Sequence, residues 1–525
     1  MTTERENSSR YVFFTLASLT VLMSAIDATI VAVAIPQLTE ALQAPLTWIG
    51  WTLTVYQLVQ LLMMPLAGRL SDTLGRKRVF LFCTGAFTFG SLLCGLAPNV
   101  WFLIGFRALQ AIGGGGLMPS AVGIVSDQFG RRRAQAIGLF TSIFPIGAII
   151  GPNLGGYILH NWSWRELFFV NVPLGVIALV GVYFLLDDDR PAVERLQIDF
   201  KGIGLFAGAL VALMYAMTAL GDDAALITSP LLWGLAVASV ALVVLFLRHI
   251  HDAAQPFVPY NLVARNPFLA ANLYNFFYGV AAFGFSAFVP YYAVTKYGMD
   301  TFQSGAVLTP RAVAMIVVSA LASVYVIKLG YRLPMVLGVV VNSLGLVLIG
   351  QGWTEATVGG VTLDGFWLLA ALLAISGAGM GLGAPASSNA GIDLAPSEAA
   401  AITGLRGMFR QAGGVIGIAG VVLALSFYQD QGEGLAHIFV ALAGIMLLTI
   451  PLAFLIPDTA WERRRARREV YEAVERAEGR APAAAEPARA ARSPLPAGAR
   501  PIISGGADGG PAGEEQGPRA AIRYH

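Results

Sequence analysis

Long apolar runs alternate with short polar breaks through residues 11–456. Fourteen of these runs approach the roughly 20 apolar residues that an α-helix needs to cross the hydrocarbon core of a bilayer. The breaks between them carry charges or turn-forming residues. The predicted spans are 11–36, 46–67, 79–97, 100–123, 134–159, 166–186, 202–220, 229–249, 268–294, 303–327, 333–352, 364–385, 399–427 and 434–456. The pattern predicts an all-α polytopic membrane protein with 14 transmembrane helices.

The composition agrees with this prediction. Hydrophobic residues make up 56% of the 525 residues and charged residues 13%, about half of the ~25% charged residues of a soluble domain. Mean hydropathy is +0.66. Residues 457–525 alone hold 12 Arg and 10 acidic residues, among many Ala, Pro and Gly. The composition excludes an ordinary cytosolic enzyme and predicts a mostly disordered polar tail at 457–525.

The distribution of basic residues predicts the orientation of the chain. With the N-terminus inside, the cytoplasmic loops hold 16 Lys and Arg, whereas the outer loops hold only Arg165 and Lys296. Lys and Arg accumulate in the cytoplasmic loops of membrane proteins. Together with the even number of spans, this places both termini in the cytoplasm of a cell-membrane protein.

A few charges fall inside the apolar runs, where a charged group is costly unless it faces a partner or a cavity. The basic ones before the tail are Arg107, Arg311, Arg406 and Arg410, and the clear acidic one is Asp27. A buried carboxylate that binds and releases a proton suits an exchanger, while an Asp permanently paired with a cation is the alternative. Arg107 needs Asp27 or backbone carbonyls as its partner.

Other polar and aromatic residues in the spans are candidates for a substrate cavity. Aromatic rings with interspersed amides suit large apolar molecules, often cationic ones, whereas packing or contact with lipid is the alternative for each ring. The candidates are Gln57, Gln60, Asn272, Tyr274, Asn275, Phe276 and Arg410.

The break after the second span has a distinctive pattern, Gly68-x3-Asp72-x2-Gly75-Arg76-Lys77. Its basic residues fit any cytoplasmic loop, but the Gly and Asp spacing is not explained by that alone. The segment resembles the signature loop of the major facilitator superfamily. The resemblance implies a gating loop that locks neighbouring helices together through charges.

Span five carries glycines at every fourth position, which places them on one face of a helix and allows close packing against another backbone. The full pattern is Gly138, Gly147, Gly151, Pro152, Gly155 and Gly156. Ordinary small-residue packing is the alternative. The pattern resembles the antiporter motif of the same superfamily, which implies export in exchange for another ion.

Further segments resemble one particular family within this superfamily. The residues that begin at Asp27-Ala28-Thr29 resemble the span-one signature of the fourteen-span drug:proton antiporters, a family of multidrug efflux permeases. Arg107 and the residues around it resemble an Arg-bearing motif tied in that family to proton coupling. The resemblance implies a major facilitator fold with an N-terminal six-helix half at 1–186, an inserted helix pair at 187–266 and a C-terminal six-helix half at 267–456.

The sequence therefore predicts a proton-coupled antiporter that exports drugs or other lipophilic or amphiphilic molecules by alternating access. An exporter of one metabolite, such as a lipid, siderophore or peptide, is the first alternative, and a transport-inactive receptor or scaffold is the second. The expected partners are lipophilic substrates, protons and the bilayer, with a periplasmic adaptor and outer-membrane channel in a Gram-negative host. No motif indicates an enzyme, a cofactor, a metal site or nucleic-acid binding.

Overall fold

Helices form nearly all of the structure, a computed structural model that describes residues 2–129, 136, 139–140, 143–185, 198–358, 361–395 and 399–458. These residues belong to one compact unit, Met1–Arg467. The helices are α1 (Thr2–Val33), α2 (Ile35–Leu42), α3 (Leu46–Leu74), α4 (Arg76–Gly95), α5 (Val100–Phe129), α6 (Ile143–Asn161), α7 (Glu166–Phe169), α8 (Asn171–Leu185), α9 (Phe200–Asp222), α10 (Pro230–Asp252), α11 (Tyr260–Ala264), α12 (Phe268–Tyr297), α13 (Thr301–Ala306), α14 (Thr309–Leu329), α15 (Arg332–Ile349), α16 (Gly365–Asp393), α17 (Ala399–Leu425), α18 (Gln431–Leu447) and α19 (Thr449–Leu455).

The predicted all-α membrane architecture is confirmed. Within the described part of the chain, 13 segments are long and apolar enough to cross a membrane. The predicted fifth span, 134–159, corresponds to α6, and several of its first residues lie outside the described ranges. One small element was not predicted: strands β1 (Ala356–Val358) and β2 (Val361–Leu363) form an antiparallel hairpin between α15 and α16.

Acidic residues are rare within the spans, and several lie at the starts of helices. The carboxylates of Asp300, Asp364 and Asp430 accept hydrogen bonds from the first-turn N–H groups of α13, α16 and α18. Such caps satisfy backbone donors that have no partner within the helix. The loops thus define where these helices begin.

The helices form two groups that contact each other. In the first, α1 packs on α6, and α5 packs on α3 and α4; in the second, α12 packs on α17, and α16 packs on α14 and α15. The groups meet where α3 contacts α17 and where α6 contacts α13. One apolar cluster includes Ile35 and Leu53 of the first group and Phe288 and Val421 of the second. The contacts between α6 and α13 lie at the end of the bundle opposite the start of α1.

The helix pair α9 and α10 lies along the boundary between the two groups. Helix α9 contacts both α3 and α17. The Trp51 indole N–H donates to Thr218 Oγ1 over 2.8 Å, and Thr47 donates to Asp222. The pair is therefore attached to both groups through one helix, α9, while α10 packs mainly on α9.

Asp199 connects the ends of α9 and α10. One carboxylate oxygen lies 2.8 Å from the Gly202 N–H and 2.7 Å from His249 Nε2, and the other accepts from the Phe257 N–H over 2.8 Å. Burial alone would raise the pKa of Asp199, but these hydrogen bonds outweigh it and hold the pKa below its ordinary value.

We expect Asp199→Ala to loosen this junction. Loss of a buried, charged hydrogen-bond acceptor costs about 1–3 kcal/mol, so the Gly202 and Phe257 amides should exchange hydrogen faster. Because the pKa is lowered on folding, the stabilisation is present above the unfolded value of about 3.9 and is lost as the pH falls through the folded value. Asp223→Ala, which removes the cap of an exposed turn, is the control. Unchanged exchange at both amides in Asp199→Ala would contradict this role.

Candidate functional site

Asp27 lies within the first membrane span, on α1, and its side chain is completely buried. Its carboxylate accepts hydrogen bonds from three side chains. Arg107 Nη1 is 2.7 Å from Oδ2, while Gln110 Nε2 and Asn171 Nδ2 are 2.9 Å and 3.2 Å from Oδ1. All three partners are donors, which suits an ionised carboxylate, since it only accepts.

Arg107 of α5 is the cation of this pair, with only 1% of its surface exposed. Its Nε donates to the Thr52 carbonyl of α3 over 3.1 Å, and its guanidinium lies 3.9 Å from the centre of the Tyr56 ring. A buried charge of this kind is stabilised only when it is paired and hydrogen-bonded. In the structure Arg107 bonds to the Asp27 carboxylate and to the Thr52 carbonyl, and not to a carbonyl of its own helix near Gly113–Gly116, where one was expected, among the hydrogen bonds of the described residues.

A second ring of polar side chains supports the pair. Gln110 accepts from Arg107 Nη1 over 2.6 Å and donates to Ser91 Oγ over 3.1 Å. Asn171 also donates to Ser91, and Ser91 donates to the Phe168 carbonyl over 2.9 Å. Helices α1, α3, α4, α5 and α8 are thereby joined at one buried point. No sequence pattern indicates that Ser91 belongs to this site, whereas Gln110 lies one helical turn after Arg107 on the same helix face.

The glycines of α6 bring this helix against α1 on both sides of Asp27. A Cβ atom at Gly147 would lie 2.5 Å from Ala25 Cβ, and one at Gly155 would lie 2.7 Å from Ile30 Cγ1. A Cβ at Gly151, between them, would overlap Thr29 Oγ1 and lie 2.9 Å from the Ile26 carbonyl. The ridge therefore permits backbone-level contact with the segment that holds the carboxylate. Gly138 lies outside the described residues.

The C-terminal part of α6 forms part of the contact between the two helix groups. A Cβ at Gly156 would lie 2.6 Å from the Thr301 carbonyl of α13. In return, a Cβ at Gly305 would overlap the Pro152 carbonyl of α6. The same short motif thus touches the segment of α1 that carries Asp27 on one side and the opposite helix group on the other.

The predicted gating loop joins α3 to α4. Gly75 ends α3 and precedes α4 with φ = 96°, a value that L side chains rarely adopt. Arg76 donates to the Gly123 carbonyl of α5, and Lys77 Nζ donates to the Tyr183 carbonyl of α8 over 3.0 Å. Gly68 borders open space, and the Asp72 side chain is outside the described residues. The loop thus connects the ends of four helices.

The candidate cavity residues are placed in two groups. Gln57 and Gln60 lie on α3 where it meets α17, and Gln411 Nε2 donates to Gln60 Oε1 over 2.7 Å. On α12, the amides of Asn272 and Asn275 donate to the Leu262 and Ala271 carbonyls.

The aromatic candidates lie on α12 and the cationic one on α17. Tyr274 stacks on Tyr278 with the ring centres 6.3 Å apart, and the Phe276 carbonyl abuts Gly413. Arg410 is exposed. Because the amides of Asn272 and Asn275 bond to backbone, the rings and Arg410 remain as the better candidates for contact with a substrate.

Residues 17–417 and 273–504 match the sequence profile of the Major Facilitator Superfamily. The chain belongs to the major facilitator superfamily. It is 32% identical over 421 residues to the multidrug transporter protein MdtP of Bacillus subtilis, covering 80% of this chain and 76% of that one. It is 29% identical over 455 residues to the methylenomycin A resistance protein of Streptomyces coelicolor, covering 86% and 92%.

Solved structures agree on the fold. The inward-facing, occupied form of a bacterial homolog of the human lysosomal transporter Spinster superposes with a TM-score of 0.61 at 13% identity, covering 84% of this chain and 96% of that one. The predicted superfamily and its fold are therefore confirmed, and the protein is a multi-pass membrane transporter of small molecules.

Proposed function

We propose that the protein is a proton-coupled antiporter that exports drugs or other lipophilic or amphiphilic molecules across the cell membrane, with both termini in the cytoplasm. The observation that carries this proposal is the buried Asp27 carboxylate, held by Arg107, Gln110 and Asn171. The names of the relatives support export of drugs: besides MdtP, the chain is 30% identical over 421 residues to the tetracenomycin C resistance and export protein of Streptomyces glaucescens, covering 77% and 74%.

Protonation of Asp27 changes the net charge and the hydrogen bonding of this site. A proton removes the negative charge that compensates Arg107 and adds an O–H donor where three donors already converge. The buried pair then loses its attraction, and rearrangement of α1 against α5 relieves the unpaired cation. Proton binding and substrate binding therefore favour opposite states of the transporter.

The glycine ridge couples this rearrangement to the two helix groups. Helix α6 touches α1 beside Asp27 and touches α13 of the other group at its outer end. A shift of α1 is thereby passed to the contact that closes the outer side. With the termini inside, this contact between α6 and α13 lies on the outer side of the membrane. Inward movement of one proton supplies about 2.3 kcal/mol for each 100 mV of membrane potential.

The test is proton release from inverted membrane vesicles that contain the protein. After the lumen has been acidified, a transported compound added outside should enter the lumen and release protons through the protein. A panel of lipophilic cations, anions and neutral compounds should contain several that cause release. Release with a single compound would instead favour the one-metabolite exporter, and release with none would favour a receptor or scaffold.

We expect Arg107 to be more sensitive to loss of charge than to change of size. Arg107→Ala removes the cation that compensates the buried Asp27 carboxylate and leaves only the neutral donors Gln110 and Asn171, so exchange should stall. Arg107→Lys keeps the charge but cannot reproduce the planar fork, so weak transport with a shifted pH optimum is expected. The pH profile of transport by both variants beside the wild type is the measurement. Arg165→Ala, at the outer end, is the control, and an active Arg107→Ala with an unchanged profile would refute the coupling role.

A further inference from the structure

Three arginines within the spans of the second helix group have no carboxylate partner among the described residues. Arg311 of α14 lies about three turns inside its span, and Arg410 and Arg406 of α17 lie about two turns and one turn inside theirs. Among the described residues, no ion pair is formed by any of the three. Asp27, by contrast, is already compensated by Arg107. Among the described residues, the spans of the second group therefore carry positive charge that no carboxylate compensates.

Arg311 is the most deeply placed of these cations. Only 8% of its surface is exposed. Nη1 donates to Ser286 Oγ over 2.7 Å, and Nη2 faces the Met380 sulfur at 2.9 Å, which is a weak acceptor. Nε has no partner. A guanidinium offers five N–H donors, so one hydroxyl and one thioether leave most of its capacity unused.

The backbone of Arg410 lies against the same helix, α12. Its backbone carbonyl abuts Gly279, whereas Arg311 reaches Ser286 two turns further along. Those two turns span about 10 Å. No hydrogen bond or ion pair holds the exposed Arg410 side chain among the residues described. Arg406 differs from Arg410 because its Nη groups donate to Ser387 and Ser388, while its Nε has no partner.

The surroundings of these cations are aromatic and apolar. The Phe285 ring centre lies 5.0 Å from the Arg311 guanidinium, and Tyr278 stacks on Tyr274 along the same helix. A carboxylate supplies the two coplanar acceptors that a guanidinium binds best, and an apolar body fits the rings. A cationic substrate would instead meet uncompensated positive charge.

We propose that Arg311 and Arg410 select lipophilic substrates that carry a carboxylate, so that the preferred substrates are anionic amphiphiles rather than cations. This inference rests on the proposed exporter function for the path that delivers the substrate. It assigns Arg311 as the deep contact for the carboxylate and Arg410 as the accessible one.

Equilibrium binding tests this without any proton gradient. Purified protein in phosphatidylcholine nanodiscs is dialysed at about pH 8 against pyrenebutyrate, pyrenebutanol or pyrenebutylamine, since the acid and the amine are then both charged. Empty nanodiscs provide the blank. We expect the wild type to bind pyrenebutyrate at least about tenfold more tightly than the other two. Arg311→Gln and Arg410→Gln should each weaken pyrenebutyrate binding about tenfold or more and leave pyrenebutanol binding unchanged.

Two further variants test whether the effect depends on the charge and on its position. Arg311→Lys should retain part of the preference for the carboxylate, and Lys296→Gln, which breaks a pair with Glu433 at a helix end, should retain all of it. If Arg311→Gln does not yield folded protein, Arg410→Gln still decides. Equal or tighter binding of pyrenebutylamine by the wild type, or equal weakening of all three probes in the Arg variants, would overturn the inference. Failure of the vesicle proton-release test would overturn the exporter function instead, and would leave this binding preference standing.

Discussion

Asp27→Asn should abolish transport driven by a pH gradient while the protein remains in the membrane. The amide cannot bind and release a proton, and its NH2 group adds donors beside Arg107, Gln110 and Asn171, which are already donors. Asp27→Glu keeps the titrating group on a longer side chain and should retain partial transport. The measurement is substrate uptake into inverted vesicles with and without an imposed pH gradient.

Loss of folding must be separated from loss of coupling in that experiment. Removing one partner of a buried ion pair costs about 3–5 kcal/mol, so the amount of folded Asp27→Asn protein should be measured by size-exclusion chromatography. Glu40→Gln removes an exposed carboxylate from α2 and should transport as the wild type does. Uptake by Asp27→Asn at the wild-type rate, with an undiminished response to the gradient, would show that another group carries the proton.

Gly151→Leu should stop the transport cycle. A Cβ at this position overlaps Thr29 Oγ1 and lies 2.9 Å from the Ile26 carbonyl, so α6 must separate from α1. Overpacking costs about 1–3 kcal/mol in a core that can adjust, and here part of the obstacle is backbone. A bias of that size is enough to trap a transporter in one of two states of similar energy. Transport in vesicles at matched protein amounts should fall to background.

Two comparisons make this prediction specific. Gly105→Leu places the same side chain on α5 in open space and should be tolerated. Gly151→Ala should be rescued in part by Thr29→Ala, because that change removes the hydroxyl that a Cβ would overlap. Wild-type transport by Gly151→Leu, or no coupling between the Gly151 and Thr29 changes, would mean that this contact does not matter for the cycle.

The sequence predicts this fold well because the bilayer dictates the length of each apolar run. The loop acids and glycines mark helix ends for equally local reasons, as at Asp300 and Gly75. The hairpin at 356–363 was missed because two strands of three residues each are too short to show an alternating pattern.

The candidate site was predictable only in part. Asp27 stands out as a carboxylate within an apolar run, and the four-residue spacing of Gly147, Gly151 and Gly155 predicts a close backbone contact. The sequence does not show which helix makes that contact. Ser91 and Asn171 lie 64 and 144 positions from Asp27, on helices whose apolar residues cover all sides, so nothing local indicates which face turns inward.

The central claim is tested most directly by measuring substrate and proton movement together in liposomes that contain only the purified protein. With no initial pH difference, an outward gradient of a transported substrate should drive protons into the liposomes against their own gradient, and a pH-sensitive dye in the lumen reports this. We expect lumen acidification with the wild type and none with Asp27→Asn. Substrate efflux from wild-type liposomes without acidification would contradict proton-coupled antiport.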